Sequence, residues 1–172
     1  MYAFEPSVFN LELLARNVYL NELTERICIV PIALTDQLTR SKFNMTSTEW
    51  GGALSTFGQD FGWDGKAVEK RFVFQTLGLS MTDAKDILNL PQPDYIKIDV
   101  DGIEHIILRG GREVLQRIKG ILVEITDDFP EQSTESRMIL QEAGLTMKEK
   151  LHSEMFEGGI FQNTFNQIWC RS

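Results

Sequence analysis

The chain has 172 residues, of which 42% are hydrophobic, 24% charged and 10% aromatic. These proportions are typical of a globular protein and exclude a disordered or collagen-like chain, and the length predicts a single domain over residues 1–172. Its predicted strands alternate with helices, which makes the expected fold class α/β. Twenty-five acidic residues against seventeen basic ones give a net charge of −8. Because this charge repels phosphates, no nucleic-acid partner is expected.

Cysteine content and hydropathy indicate the cellular compartment in which the protein is expected. Cys28 and Cys170 are far apart and form no CxxC pair, which favours neither a disulfide framework nor a structural zinc site. The chain has no run of about 18 apolar residues and its N-terminus lacks the pattern of a secretory signal. We therefore expect a soluble cytoplasmic protein with no membrane span. The sequence does not indicate its oligomeric state.

The first part of the chain alternates between strand and helix patterns. A short apolar strand, Tyr2 to Phe4, precedes a helical pattern that ends at Asn21. Residues 27–34 are apolar and β-branched and predict one strand buried on both faces. Residues 40–71 lose periodicity and collect aromatic residues, which fits either a functional lid or a surface insertion.

The second part of the chain continues this alternation. The predicted strands cover residues 72–77, 95–102, 121–125, 145–151 and 165–171. The predicted helices cover residues 81–90, with Thr82 as the cap, residues 103–114, and a stretch from Ser133 or Thr134 to Ala143. Strands that alternate with helices predict a mostly parallel sheet.

Several acidic residues follow the predicted strands at their carboxyl ends. They are Glu5, Asp36, Asp99, Asp101 and Glu124. Ligands of open α/β sheets bind at this edge of the sheet. The acidic residues therefore predict a site for hydroxyl groups, a cation or a positively charged cofactor.

Lys97 strengthens this interpretation because alternation along a strand places it on the same face as Asp99 and Asp101. We expect a buried lysine there, paired with Asp99 or Glu124, since an unpaired buried charge is costly. A structural ion pair without a catalytic role is the alternative. Asp99, Asp101 and Glu124 could also bind Mg²⁺, although the leading interpretation needs no metal.

Six motifs together indicate a family. They are Phe4-Glu5-Pro6, Asn17 with Asn21, Pro31-Ile32-Ala33-Leu34, the run from Asp94 to Glu104, Ile107-Leu108-Arg109-Gly110 and Val123-Glu124-Ile125. Their order and spacing resemble those of FkbM-type S-adenosylmethionine-dependent methyltransferases. The resemblance implies a Rossmann-like class I methyltransferase sheet, mostly parallel, with a C-terminal antiparallel hairpin.

The resemblance also implies where S-adenosyl-L-methionine binds. Glu5 would accept hydrogen bonds from the two ribose hydroxyls, a role that a carboxylate can perform with both oxygens. Ala33 and Leu34, with Asp36 nearby, would lie beside the adenine. Asp99 would lie near the sulfonium, where a negative charge stabilises a cation.

The implied reaction is methyl transfer to a hydroxyl of a sugar, glycolipid, polysaccharide or polyketide-like acceptor. The attacking oxygen must lose its proton, so a base is required. Asp99 or Asp101 is the expected base. Lys97 would keep the carboxylates ionised and oriented, and Glu124 would complete the pairing.

Two aromatic residues and two histidines have secondary roles in this interpretation. Trp50 or Phe57, from the long irregular segment, is a candidate to cover the sulfonium. His105 and His152 are expected to be surface or hydrogen-bonded residues rather than catalysts.

The chain departs from the family pattern at its start. A glycine-rich strand, turn and helix normally precede the Phe-Glu-Pro strand, and that first strand is central in the sheet. We therefore expect an N-terminally incomplete domain, in which the strands at Tyr2 and Tyr95 either pair directly or keep exposed edges. Smaller departures are Gly78, where an acidic residue is common, and Asp101 in place of glutamate.

These departures leave two further interpretations open. One is a truncated, non-catalytic remnant or interaction module with a methyltransferase-like fold. The other is a nicotinamide-dependent dehydrogenase, which also needs a glycine-rich turn after the first strand. Without that turn we expect weak or absent cofactor binding and little catalysis by this chain.

Overall fold

The computed structural model describes residues 1–152 and 158–171. Its helices are α1 (Val8–Leu20), α2 (Met81–Ile87), α3 (Glu104–Arg109), α4 (Arg112–Leu115) and α5 (Pro130–Glu142). Its strands are β1 (Tyr2–Phe4), β2 (Cys28–Val30), β3 (Ala33–Leu34), β4 (Thr39–Met45), β5 (Thr56–Phe57), β6 (Phe72–Leu79), β7 (Tyr95–Ile98), β8 (Gly120–Thr126), β9 (Leu145–Leu151) and β10 (Thr164–Arg171). The fold is α/β, as predicted.

The chain begins with a small β1–α1–β2 unit. β1 and β2 are parallel, with Tyr2 beside Cys28 and Phe4 beside Val30. The Ser7 side chain caps α1 by accepting a hydrogen bond from the Asn10 N–H. The helix ends at Asn21, whose Nδ2 donates to the carbonyl of Asn17 at 2.8 Å, so the helical prediction is confirmed.

The prediction of one doubly buried strand over residues 27–34 is wrong. β2 ends before Pro31, which has no N–H to donate to a sheet, and Ile32 N–H instead donates to the carbonyl of Val30 at 2.9 Å. After this bend β3 pairs in parallel with β6 in a different sheet. Cys28, within the predicted buried run, is exposed.

The segment of residues 40–71 is more regular than its sequence indicates. β4 pairs antiparallel with β6 along its whole length and with β5 at Phe43 and Asn44. These strands form a sheet of order β3-β6-β4-β5. The irregular part is therefore confined to the stretches between β4, β5 and β6.

A third sheet has the order β7-β8-β10-β9. β7 and β8 are parallel, whereas β10 is antiparallel to both β8 and β9, so the predicted C-terminal antiparallel hairpin is confirmed. α5 contributes Ile139 and Leu140 to the buried core beside this sheet, and β10 contributes Trp169.

The predicted single, mostly parallel sheet does not form within the described ranges 1–152 and 158–171. Three separate sheets occur there instead. The β1-β2 sheet is parallel, and each of the two four-stranded sheets contains both parallel and antiparallel pairs. The direct pairing of the strands at Tyr2 and Tyr95 is also wrong, because β1 pairs with β2 and β7 with β8. Within the described ranges β1 and β7 are each an edge strand of their sheet, which fits the other expectation, that of open strand edges.

Three helix boundaries differ from the predictions. Ser80, not Thr82, caps α2, because Ser80 and Asp83 form a reciprocal capping box. The helix predicted over residues 103–114 breaks into α3 and α4 at Gly110-Gly111. α5 begins one turn early, with Pro130 in its first turn, where proline is favoured.

Helix length also bears on membrane insertion. No helix within residues 1–152 and 158–171 is long and apolar enough to cross a membrane.

Candidate active site at the carboxyl ends of the strands

The structure brings four of the five predicted carboxylates within electrostatic reach of one another. Glu5 follows β1, Asp99 and Asp101 follow β7, and Glu124 lies in β8. Asp101 is influenced by Asp99 and Glu5, and Glu124 by Asp99 and Asp101. We call these four residues the acidic rim.

Asp101 is the most constrained carboxylate of the acidic rim. Burial raises its pKa to about 6, and the charges of Asp99 and Glu5 act in the same direction. Backbone N–H groups of Ser55 and Leu54 act against this rise, and Ser55 N–H donates to Asp101 Oδ2 at 3.0 Å. Asp101 is therefore ionised at neutral pH and tied to the segment before β5.

Glu124 has the highest resolved pKa in the acidic rim. Burial raises the pKa of this half-buried carboxyl to about 7, helped by the charges of Asp99 and Asp101 and opposed by Lys97. A carboxyl with this pKa exchanges its proton near neutral pH. It is thus suited to accept a proton from a bound hydroxyl group.

Lys97 is paired with Asp99 as predicted, with 2.6 Å between Nζ and Oδ2. The expectation of a buried lysine is wrong, because the side chains of Lys97 and Asp99 are 61% and 44% exposed. The cause is the position of β7, whose only ladder partner in the described chain is β8. The pair therefore carries little of the desolvation cost of a buried ion pair.

Glu5 is held at the end of β1 by the start of α1. Its Oε1 accepts a hydrogen bond from Ser7 N–H at 2.7 Å. Burial raises the pKa of Glu5, while the Ser7 N–H and the Asn10 side chain oppose the rise. The carboxylate is thus fixed at the strand end, where the resemblance requires it.

Residues 51–55, which we call the bridging segment, connect the two sides of the acidic rim. Asn10 of α1 donates to the carbonyl of Gly52 at 3.1 Å and accepts from Gly51 N–H at 3.0 Å. At the other end Ser55 N–H is bound by Asp101, and Leu54 has a positive φ of 63°. The bridging segment therefore joins α1 to the loop after β7.

The backbone conformation and the close packing at position 102 require the glycine that follows Asp101. Its φ is +106°, and a Cβ there would lie 2.3 Å from the carbonyl oxygen of Gly62. Only glycine permits both this backbone conformation and this approach. The chain between β5 and β6 is therefore packed directly on the motif that carries Asp99 and Asp101.

Asp36 is separate from the acidic rim. It pairs with Arg109 of α3 at 3.5 Å, and no described interaction joins it to the four rim carboxylates. Ala33 and Leu34 form β3 and pair with Gly78 and Leu79 of β6. The expectation of five carboxylates along one edge is thus corrected for Asp36.

The two aromatic residues proposed to cover the sulfonium, Phe57 and Trp50, differ in exposure. Phe57 is 3% exposed and belongs to the core, so its predicted position over a bound cation is wrong. A Cβ at Gly78 would lie 2.4 Å from the Phe57 ring, which explains the glycine where the family often has an acidic residue. Trp50 is 62% exposed and lies next to the bridging segment.

Sequence reasoning missed a buried polar chain behind the acidic rim. Glu104 is fully buried and hydrogen-bonded to Gln132 Nε2, and burial raises its pKa well above the usual range. The Oε1 of Gln132 accepts from Thr126 N–H at 2.8 Å. Glu104 belongs to the quoted motif, which was its sequence signal, whereas nothing in the sequence marked Gln132.

The expectation that His105 is a surface or hydrogen-bonded residue is wrong. His105 is buried, and its Nδ1 has no hydrogen-bond partner.

The fold and the acidic rim define an α/β domain with carboxylates at the carboxyl ends of its strands, and a solved structure shares this α/β fold. The chain is similar to the crystal structure of Methyltransferase FkbM from Methylobacillus flagellatus KT, with a TM-score of 0.54 and 14% identity. The match covers 98% of this chain and 36% of that chain. The chain therefore spans about a third of the length of that protein.

The sequence comparison identifies the family. The model of the Methyltransferase FkbM domain matches residues 1–147, so the chain belongs to the FkbM methyltransferase domain family. No curated protein sequence matches the chain.

Proposed function

We propose that this domain takes part in S-adenosylmethionine-dependent methyl transfer to a hydroxyl group of a sugar, glycolipid, polysaccharide or polyketide-like acceptor. The observation that carries the proposal is the acidic rim at the strand ends of a domain of the FkbM methyltransferase family. The acceptor class follows from the resemblance alone.

The residues of the acidic rim fit two parts of the proposed cofactor. Glu5, fixed by Ser7 N–H at the end of β1, is suited to accept hydrogen bonds from a pair of ribose hydroxyls. Four carboxylates with one neighbouring lysine leave a formal charge of −2 when Glu124 is protonated and −3 when it is ionised, and either charge favours a sulfonium cation. S-adenosylmethionine, when bound, supplies a methyl group on such a cation.

Glu124 is the residue that we propose as the acceptor of the hydroxyl proton. Its pKa of about 7 matches the operating pH of a general base. Asp99 is already bound by Lys97, and Asp101 by Ser55 N–H. We therefore give Asp99 and Asp101 electrostatic and positioning roles and move the base from them to Glu124.

Calorimetric titration with S-adenosylhomocysteine tests the cofactor assignment. S-adenosylhomocysteine is a thioether without the sulfonium charge, so only its ribose has a proposed partner, and we expect weak binding, with a Kd of about 0.1–1 mM. Glu5→Gln should weaken it further by about tenfold. The matched control is Glu12→Gln, since Glu12 is a partly exposed residue of α1 paired with Arg16. Equal affinities for the Glu5 and Glu12 variants would contradict the role of Glu5, and no heat at millimolar ligand would favour a non-catalytic domain.

Transfer of a labelled methyl group to a panel of sugars and polyketide alcohols tests the reaction. We expect slow transfer that rises with pH through about 7 as Glu124 loses its proton. Glu124→Gln should reduce the rate at least 100-fold while the affinity for S-adenosylhomocysteine is retained. Transfer that is unaffected by Glu124→Gln would remove Glu124 as the base.

A further inference from the structure

A second group of chemically active side chains lies between α3 and α5. It consists of His105 on α3 and Glu131 and Glu135 on α5, each of which offers one ligand atom within 4.8 Å of the others. Glu131 and Glu135 are four residues apart and so share one face of α5. The packing of α3 against α5 brings the three side chains together.

His105 is the unusual member of this group. Its side chain is 1% exposed, and its ring packs edge-to-face against Phe129 with 5.6 Å between centroids. Nδ1 is buried without a hydrogen bond, which is unfavourable for a polar atom. Burial also lowers the pKa of His105, while the charges of Glu135 and Glu131 oppose this change.

Arg109 holds Glu135 in position without using all of its acceptor capacity. Nε and Nη2 of Arg109 donate to the two oxygens of Glu135, each at 2.8 Å. Each carboxylate oxygen has a second lone pair, which remains available for a ligand. Charged partners of this kind commonly orient metal-binding carboxylates.

The charges around this group favour a divalent cation. Glu131 and Glu135 act on His105 and the Arg109 guanidinium opposes them, so the formal charge of these groups is −1. A dication would be attracted by this charge and would provide the missing partner for the imidazole.

We propose that His105, Glu131 and Glu135 form a binding site for a divalent transition-metal ion, with Zn²⁺ as the best match. An imidazole ligand favours zinc over magnesium. Three protein ligands and a water complete a tetrahedral zinc site, in which neighbouring ligand atoms are about 3.3 Å apart. Glu131 is exposed, so its side chain is free to close this distance. The bound ion would link α3 to α5, and α3 follows the loop that carries Asp101.

Calorimetric titration of the whole chain with ZnCl₂ at pH 7 tests the site. Cys28→Ser and Cys170→Ser form the background, because both thiols are free and thiols bind zinc. We expect one ion per chain with a micromolar Kd, and a rise in Tm of several degrees at a 100-fold excess over the Kd.

The decisive variant is Glu131→Gln, because Glu131 is exposed and its substitution should leave the fold unchanged. It should weaken zinc binding at least tenfold, whereas Glu142→Gln, a matched exposed position on α5 paired with Arg112, should not. His105→Gln should abolish binding if its melting curve shows a folded protein. If His105→Gln does not fold, the Glu131 and Glu142 pair decides alone. No binding up to 1 mM zinc, or equal binding by these two variants, would overturn the proposal.

Discussion

The two sides of the acidic rim belong to regions of very different packing. β7, β8, β10 and their helices enclose most of the core, including Leu108, Val123 and Leu140, which are completely buried. In residues 1–30, by contrast, Val18 and Val30 are the buried hydrophobic residues, and neither belongs to the main core cluster. Asp99, Asp101 and Glu124 are therefore supported by the densely packed core, whereas the position of Glu5 depends on contacts such as those of the bridging segment.

On the well-packed side, Gly102 is the position where we expect a substitution to destabilise the protein most. Gly102→Ala places a Cβ 2.3 Å from the Gly62 carbonyl and leaves a non-glycine residue at a φ of +106°. We expect a loss of more than about 3 kcal/mol in the free energy of unfolding, measured in urea. Gly58→Ala is the control, because its φ is also positive, at +72°, but its nearest contact is 3.5 Å. A loss equal to that of Gly58→Ala would show that the contact with Gly62 is unimportant.

A matched pair of valines tests the comparison directly. Val123 is 0% exposed in β8 and Val30 is 6% exposed in β2. Val123→Ala should cost about 2–3 kcal/mol of unfolding free energy, because the dense core cannot close the cavity, and Val30→Ala should cost about 1 kcal/mol. Urea midpoints measure both losses. Equal losses would break the distinction between the two regions.

The pH dependence of stability tests the electrostatics of the acidic rim. The pKa of Glu124 is raised to about 7, so folding favours its protonated form. This contribution is complete below the unfolded pKa of about 4.5 and is lost as the pH rises through about 7. The stability of Glu124→Gln relative to the wild type should therefore rise by about 1–2 kcal/mol as the pH is raised from 4 to 8. This energy allows for partial solvent screening.

Urea unfolding across this pH range gives the difference between Glu124→Gln and the wild type. Glu113→Gln, an exposed position on α4, serves as the control and should change little with pH. A difference between Glu124→Gln and wild type that does not vary with pH would contradict the raised pKa of Glu124.

The smallest expected effect concerns the weakly packed side. Asn10→Ala removes both hydrogen bonds that tie α1 to Gly51 and Gly52. Because these groups are partly exposed, we expect a loss of only about 1 kcal/mol in unfolding free energy. Asn10→Ala should also lose more affinity for S-adenosylhomocysteine than Glu12→Gln does. Unchanged affinity in Asn10→Ala would show that Glu5 is positioned without the bridging segment.

Much of the fold follows from local pattern in the sequence. The strands at Tyr95 and Ile121 were predictable because buried strands are continuous runs of apolar residues. The acidic residues near their carboxyl ends were predictable because polar residues interrupt these runs. The division of residues 27–34 was not predictable from hydropathy, since an apolar run does not record which strand it pairs with. Pro31 was the available sign, and the partner of β3 lies more than 40 residues away at Gly78 and Leu79.

The candidate site was predictable in its residue types but less so in its contacts. Asp36 follows a strand as Glu5 and Asp99 do, yet it pairs with Arg109, from a helix distant in the chain. The exposure of Lys97 depends on which neighbours β7 has, and alternation along a strand does not contain that information. The anchoring of Ser55 by Asp101 likewise joins residues 46 positions apart.

That anchoring has a consequence for the motions of the domain. The Ser55 amide proton is held by Asp101, a carboxylate of the acidic rim, so it exchanges with solvent deuterium only when this contact opens. Its protection against exchange therefore reports the lifetime of the closed arrangement at a single backbone position. Any compound that competes for the Asp101 carboxylate must accelerate this exchange, whereas one that packs over the closed segment must slow it.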